Sequence, residues 1–122
     1  MSRPERFSLA AAFRCAGRGV WLMAHGRNGR LQISMAIIAV AAGLTFRIGR
    51  DEWLAVLLSI TLVLALETIN TGLEKVVDLV SPGYSDLARD AKDLAAGAVL
   101  IASVASVIVG IIVFTPYVHH LL

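Results

Sequence analysis

The sequence predicts an all-α integral membrane protein: an N-terminal amphipathic surface helix followed by three transmembrane helices. Three observations lead there. The chain has 122 residues, of which 57% are hydrophobic and 16% charged, and its mean hydropathy is +0.76. A soluble domain this small needs more polar surface than such a composition supplies. Three apolar segments approach membrane-spanning length, so lipid can solvate the excess. The basic residues are also unevenly placed, as expected for a chain threaded through a bilayer with one face inside. At this length there is room for one domain, 1–122. A formal net charge of +2 is too small to argue for a nucleic-acid partner.

Taken in order, residues 5–26 do not read as a span. Phe7, Ala10, Phe13, Ala16, Val20, Trp21 and Met23 alternate with Arg14, Arg18 and glycines. That pattern suits a helix lying in the interface, with arginines near anionic headgroups. A partly ordered basic arm is the plainer alternative. The N-terminus is polar and lacks a compact apolar run before a cleavage site, so no cleavable signal is expected. Cys15 is the single cysteine, which rules out an intrachain disulfide and reads best as a small packing residue.

The first span is expected at 31–50: Leu31 to Phe46 is uncharged, and Arg47 and Arg50 can snorkel outward. Gly49-Arg50-Asp51-Glu52 is a tight polar connection that predicts an antiparallel hairpin. The second span is expected at 52–80, since the apolar pattern from Trp53 to Leu66 continues through Glu67, Asn70, Glu74 and Asp78. Pro82 and Gly83 break the chain. The third span is expected at 88–115, with Leu94 to Phe114 uncharged and Pro116 just beyond.

Arg3, Arg6, Arg14, Arg18, Arg27 and Arg30 precede the first span, and Lys75, Arg89 and Lys92 surround the 79–92 loop. The positive-inside rule therefore puts the N-terminus and that loop in the cytoplasm.

On a helix, Glu67, Asn70, Thr71, Glu74 and Asp78 fall within an arc of about 100°. With Trp53 at the outer boundary, Glu67 lies about 21 Å inward and Glu74 about 32 Å inward. A hydrocarbon core about 30 Å thick leaves Glu67 inside the inner leaflet and Glu74 at its rim. Counted from the third span, Lys92 and Asp93 reach the same rim. Arg89, Asp93 and Gly97 share a face, and the small run Ala95-Ala96-Gly97-Ala98 is expected to permit close helix packing. Carboxylates at such a rim can hold Mg²⁺ together with substrate phosphates, and a lysine there can neutralise phosphate charge. A deeper carboxylate can accept a proton from a hydroxyl carried by a lipid. Helix gluing or snorkelling is the plainer reading for Asp78 and Asp93. It is weaker for Glu67, because a carboxylate inside the membrane is costly. One copy of the chain is expected to leave Glu67 facing lipid unless another helix covers it, which argues for self-association.

Two motifs then become recognisable. Glu67-Thr-Ile-Asn70-Thr-Gly-Leu-Glu74-Lys-Val-Val-Asp78, followed by Ala91-Lys92-Asp93-Leu-Ala-Ala-Gly97-Ala-Val-Leu100, resembles the bacterial integral-membrane diacylglycerol kinase and undecaprenol kinase family. The resemblance covers nearly the whole chain and includes the loop at Pro82-Gly83-Tyr84. Neither the P-loop nor the Gly-rich loop of soluble kinases appears. The resemblance implies a homotrimer with sites shared between subunits in the bacterial inner membrane, using Mg-ATP to phosphorylate a lipid hydroxyl. Carried over by motif, Glu67 is the general base with Asn70 beside it, and Glu74 ligates the metal. Lys92 contacts ATP phosphates, Asp93 helps hold the nucleotide, and Asp78, Gly83, Tyr84 and Ser85 complete the nucleotide region. The second motif looks closer to the undecaprenol kinase branch, although the apolar residues available to a lipid tail do not distinguish prenyl from acyl chains by their chemistry.

The sequence departs from the family pattern at one place. Members commonly carry a second metal-ligating Glu just before the segment here read as Arg27-Asn28-Gly29-Arg30, and this chain has Gly26. His25 is adjacent, but Mg²⁺ prefers oxygen. Gln32 also stands where some members have an acid or histidine. Two other functions are therefore kept open: a kinase-like scaffold weakened at Gly26, and a proton or cation relay through Glu67, Glu74 and Asp78. Against the relay, no carboxylate continues the path outward.

Overall fold

The computed structural model describes residues 8–122. Arg3, Arg6 and the expected helical residues 5–7 lie outside the described residues. Four helices follow in order: α1 Leu9–His25, α2 Arg27–Phe46, α3 Arg50–Val80 and α4 Asp86–Leu121. The last three are long and apolar enough to cross a membrane, so the predicted fold class stands.

α1 begins where Ser8 accepts a hydrogen bond from the Ala11 N–H at 3.4 Å, satisfying one of the free donors of the first turn. Its side chains are nearly all exposed, with Phe13, Val20 and Trp21 among them, and Met23 alone is buried. A helix this apolar on one side and this little covered by its own chain fits the interfacial placement. α1 and α2 are separated by one extended residue, Gly26, whose φ of −74° any residue adopts. The glycine that the corner requires is Gly29. A Cβ there would stand 1.8 Å from the Met23 carbonyl oxygen, so only glycine lets the end of α1 rest on the first turn of α2.

α2 ends at Arg47, held in the left-handed region at φ 53°, and α3 starts after two more residues. The predicted hairpin is therefore present. It packs closely: the Trp53 ring tip occupies the space that a Cβ on Gly43 would take, at 2.7 Å. Glu52 Oε1 accepts from the Gly49 N–H at 3.0 Å and so caps α3.

α3 and α4 are joined along their length by three ties. Lys92 Nζ meets Asp78 Oδ1 at 2.5 Å at the end next to the 81–85 loop, named inner after the sequence expectation, Ser106 Oγ donates to the Ser59 carbonyl at 3.4 Å midway, and Tyr117 donates to Glu52 at 2.5 Å at the hairpin end, named outer in the same way. Around the last of these sits the main apolar cluster, Ile48, Val56 and Val113, walled by Phe46, Trp53 and Phe114. Inside the spans, hydroxyls are satisfied by carbonyls one turn back, as with Ser59 on Ala55, Thr68 on Leu64 and Ser106 on Ala102. This is how a polar side chain avoids an unpaired group in hydrocarbon.

Two expectations change. α4 does not stop near residue 115 but runs through Pro116 to Leu121. Proline withdraws one N–H from the helix ladder, yet the Tyr117 bond to Glu52 and its contact with Phe46, ring centroids 5.9 Å apart, hold the following turn in place. The small run of α4 is also not packed against the described helices at its centre, since a Cβ on Gly97 would meet nothing within 4 Å.

Candidate active site at the inner end of the bundle

Helical periodicity puts the polar residues of α3 on one face, and the packing grades them by depth. Glu67 and Asn70 are each 3% exposed, whereas Glu74 and Asp78 are exposed. The burial of Glu67 overturns the expectation that a single copy leaves it facing lipid. The chain covers this carboxylate itself; α3 packs against α4 and α2, and α1 also reaches it. Self-association therefore draws no support from exposure at Glu67.

The buried pair is linked to the rim. Asn70 Nδ2 donates to Glu74 Oε1 at 3.4 Å, and Thr71 Oγ1 donates to the Glu67 backbone carbonyl at 2.9 Å. Asn70 Oδ1 is buried and has no hydrogen-bond partner. α2 approaches the same level. Counting inward from the contact of Gly43 with Trp53, Gly26 and Asn70 are both seventeen residues away, or about 26 Å along either axis. A Cβ on Gly26 would meet the Met23 carbonyl oxygen at 3.4 Å, an ordinary contact. The glycine there is thus not demanded by conformation or by space.

Lys92 is brought to the α3 face and pairs with Asp78, both partly exposed. Asp93 is not brought there. It is exposed and lines a shallow depression of about 620 Å³ with Asp90, Leu94, Gly97, Ala98 and Ile101, a set that includes no α3 residue. The 81–85 loop joins α3 to α4. Ser85 caps α4 by accepting from the Ala88 N–H at 3.4 Å. Tyr84 is 80% exposed, donates to Asp86 Oδ1 at 2.7 Å and accepts from Arg89 at 3.4 Å. Donation to the Asp86 carboxylate holds the Tyr84 hydroxyl above its ordinary pKa. Gly83 is exposed, and its Cβ position is open.

An apolar groove of about 680 Å³ runs between α2, α3 and α4. Gln32, Val63, Leu64 and Ser103 line it toward the inner end, and Phe114 and His119 toward the outer. Gln32 Nε2 donates to Ser103 Oγ at 3.3 Å across its floor. One turn inward from Val63 on the same face of α3 stands Glu67. The sequence implies apolar residues for a lipid tail but does not locate this groove, because it is made by three helices that share no local pattern. The serines spaced three apart on α4, Ser103 and Ser106, were its available signal.

Among the described residues, no group of three or more His, Cys, Asp or Glu side chains is arranged to hold a metal. What the inner end does offer is the Glu74 carboxylate and the unpartnered amide oxygen of Asn70. Both are hard oxygen donors of the class Mg²⁺ takes, so the donor set fits that ion.

Comparison with known proteins agrees with the sequence motifs. The profile of the family described as prokaryotic diacylglycerol kinase matches residues 14–114. The chain is 37% identical over 115 residues to an undecaprenol kinase of Bacillus subtilis, covering 93% of this chain and 94% of that one. It is 41% identical over 105 residues to a diacylglycerol kinase of Synechocystis sp., covering 84% of this chain and 60% of the relative. A diacylglycerol kinase of Sinorhizobium sp. is 34% identical over 101 residues, with 82% and 67% covered.

Proposed function

Because this chain belongs to the prokaryotic diacylglycerol kinase family, and is a lipid kinase by that membership, we propose that it transfers the terminal phosphate of ATP to the hydroxyl of a membrane lipid at the cytoplasmic face of a bacterial inner membrane. The observation that carries this reading is a carboxylate, Glu67, buried at 3% exposure one turn from the inner end of an apolar groove open to lipid. The lipid tail lies in the groove and its headgroup hydroxyl arrives at Glu67. Glu67 takes the hydroxyl proton as the oxygen attacks the terminal phosphorus, the bond to the bridging oxygen breaks, and ADP leaves. Phosphoryl transfer asks mainly for positioning and charge neutralisation, which suits so small a scaffold.

The remaining residues serve the nucleotide. Lys92 exchanges Asp78 for ATP phosphates, an ion pair that is partly exposed and so cheaply broken. Tyr84 and Ser85, with Gly83, border the approach. Mg²⁺, held by Glu74, would neutralise phosphate charge when bound. Asp93 faces away from this group on α4, which favours the homotrimer with shared sites that the resemblance implies: there Asp93 serves a site on a neighbouring copy. The arginines before α2 and around the 79–92 loop support a cytoplasmic N-terminus.

For the lipid, undecaprenol and diacylglycerol are both candidates. The relative covered over almost its whole length bears the name undecaprenol kinase, and we favour that substrate. Gly26 is the one observation that favours a second reading, a lipid-binding scaffold without turnover. The test is phosphate transfer from radiolabelled Mg-ATP to either lipid by purified protein in detergent or bilayers. Label in undecaprenol or diacylglycerol is expected. Label in neither, with ATP binding retained, gives the scaffold instead, and ion flux into proteoliposomes without ATP would give the relay.

A further inference from the structure

The apolar groove holds a polar pair toward its inner end. Gln32 Nε2 donates to Ser103 Oγ at 3.3 Å, the side-chain hydrogen bond that joins α2 to α4 among the described residues. Ser59, Thr68 and Ser106 turn their hydroxyl hydrogens back to carbonyls of their own helices. Ser103 accepts from Gln32 instead, and its own hydrogen goes to no acceptor among the described residues. A side-chain amide nitrogen carries two hydrogens, so Gln32 also keeps one donor free. Both residues are half-buried and line the groove, which opens the two donors to whatever fills it. Free donors in an apolar site cost stability until an acceptor reaches them.

Depth names the acceptor. Gln32 stands eleven residues inward of Gly43, and Leu64 eleven inward of Trp53, whose ring Gly43 touches. The pair therefore lies about three residues, or roughly 5 Å, outward of Glu67. Counted from the tie of Ser106 to Ser59 and from that of Tyr117 to Glu52, Ser103 falls between the levels of Leu62 and Leu66, which brackets the same depth. A lipid whose hydroxyl is at Glu67 places at this level the atoms that follow the hydroxyl. In a diacylglycerol these are the ester carbonyls, the nearer carbonyl oxygen about five bonds, or roughly 5 Å, from the hydroxyl oxygen. In a prenol they are alkene carbons and a methyl branch, and no acceptor is present. We propose that Gln32, held by Ser103, receives an ester carbonyl of an acylglycerol and so lets the groove tell an acylglycerol from a prenol. This rests on the reading of the groove as the lipid site. With a prenol bound the pair stays closed on itself. With an acylglycerol bound, the second Nε2 hydrogen and the Ser103 hydroxyl hydrogen turn to the carbonyl. The two lipids enter one groove, and only the acylglycerol draws on Gln32.

The test sets an ester against an ether. Binding of tritiated 1,2-dioctanoylglycerol is measured by scintillation proximity on the full-length protein in detergent. The matching 1,2-dioctylglycerol, whose ether oxygens replace the ester groups, is measured in the same way. Partition into micelles is common to all variants, so the quantity read is the change in the ester-to-ether affinity ratio. Gln32→Leu is expected to lower that ratio about fivefold, the scale of one neutral hydrogen bond. Ser103→Ala, which unanchors the amide and removes one donor, is expected to lower it about threefold. Circular dichroism checks that each variant is folded. Binding of neither diglyceride by the wild type overturns the proposal. So does a ratio within about twofold of wild type in Gln32→Leu, or in Ser103→Ala should Gln32→Leu not fold. An equal loss of both affinities leaves the ratio unchanged and makes the pair a tie between helices and nothing more. Phosphate transfer is scored separately: a protein that prefers the ester through Gln32 yet labels neither diacylglycerol nor undecaprenol keeps this inference and loses the kinase reading.

Discussion

The two ends of the bundle each carry a glutamate of α3, and they treat it differently. At the outer end Glu52 accepts from the Tyr117 hydroxyl and from the Gly49 N–H, next to the apolar cluster of Ile48, Val56 and Val113. One of its oxygens, Oε1, takes both bonds from its own chain. At the inner end Glu67 is more deeply buried than any other charged residue described, while the amide beside it leaves an oxygen without a partner. A carboxylate whose bonds close on the protein fastens helices. One set among incomplete partners is available to a substrate, and the cost of burying it is a cost that stability alone would not retain.

That contrast can be broken from either end. The largest expected effect is Glu67→Gln, which keeps the shape and removes the base. Transfer to lipid falls by about 100-fold or more, with thermal unfolding unchanged; an equal loss of fold would make Glu67 a structural group. Next is Gly29→Ala. The added methyl collides with the Met23 carbonyl, and because that atom is backbone the corner must open. A cost of about 3 kcal/mol or more is expected, read as a lowered unfolding midpoint in detergent and as freer protease access to α1. The smallest effect is Tyr117→Phe, which removes the outer tie. It is expected to lower the unfolding midpoint by a few degrees and leave the transfer rate as it was.

The same contrast separates what was legible in the sequence from what was not. The spans, the hairpin and the grading of α3 by depth follow from local apolar length and helical spacing, which lie within a few turns of each other. Glu67, Asn70 and Glu74 stand out for that reason. The burial of Glu67 was not legible, since it depends on which helices pack over that face of α3, and no local pattern gives that. Nor was the tie of Glu52 to Tyr117, because the partners are 65 residues apart and Pro116, just before Tyr117, looked like a stop. Asp93 shares a depth with Lys92 but not a direction. Depth follows from rise per residue, whereas direction requires knowing which face of α4 meets α3.

The most direct test compares the two ends in one assay. Initial rates of phosphate transfer from Mg-ATP to undecaprenol are measured for Glu67→Gln and Tyr117→Phe, each normalised to folded protein. The inner-end account predicts that Tyr117→Phe keeps the wild-type rate while Glu67→Gln is slower by about two orders of magnitude. Equal rates in the two variants would contradict it.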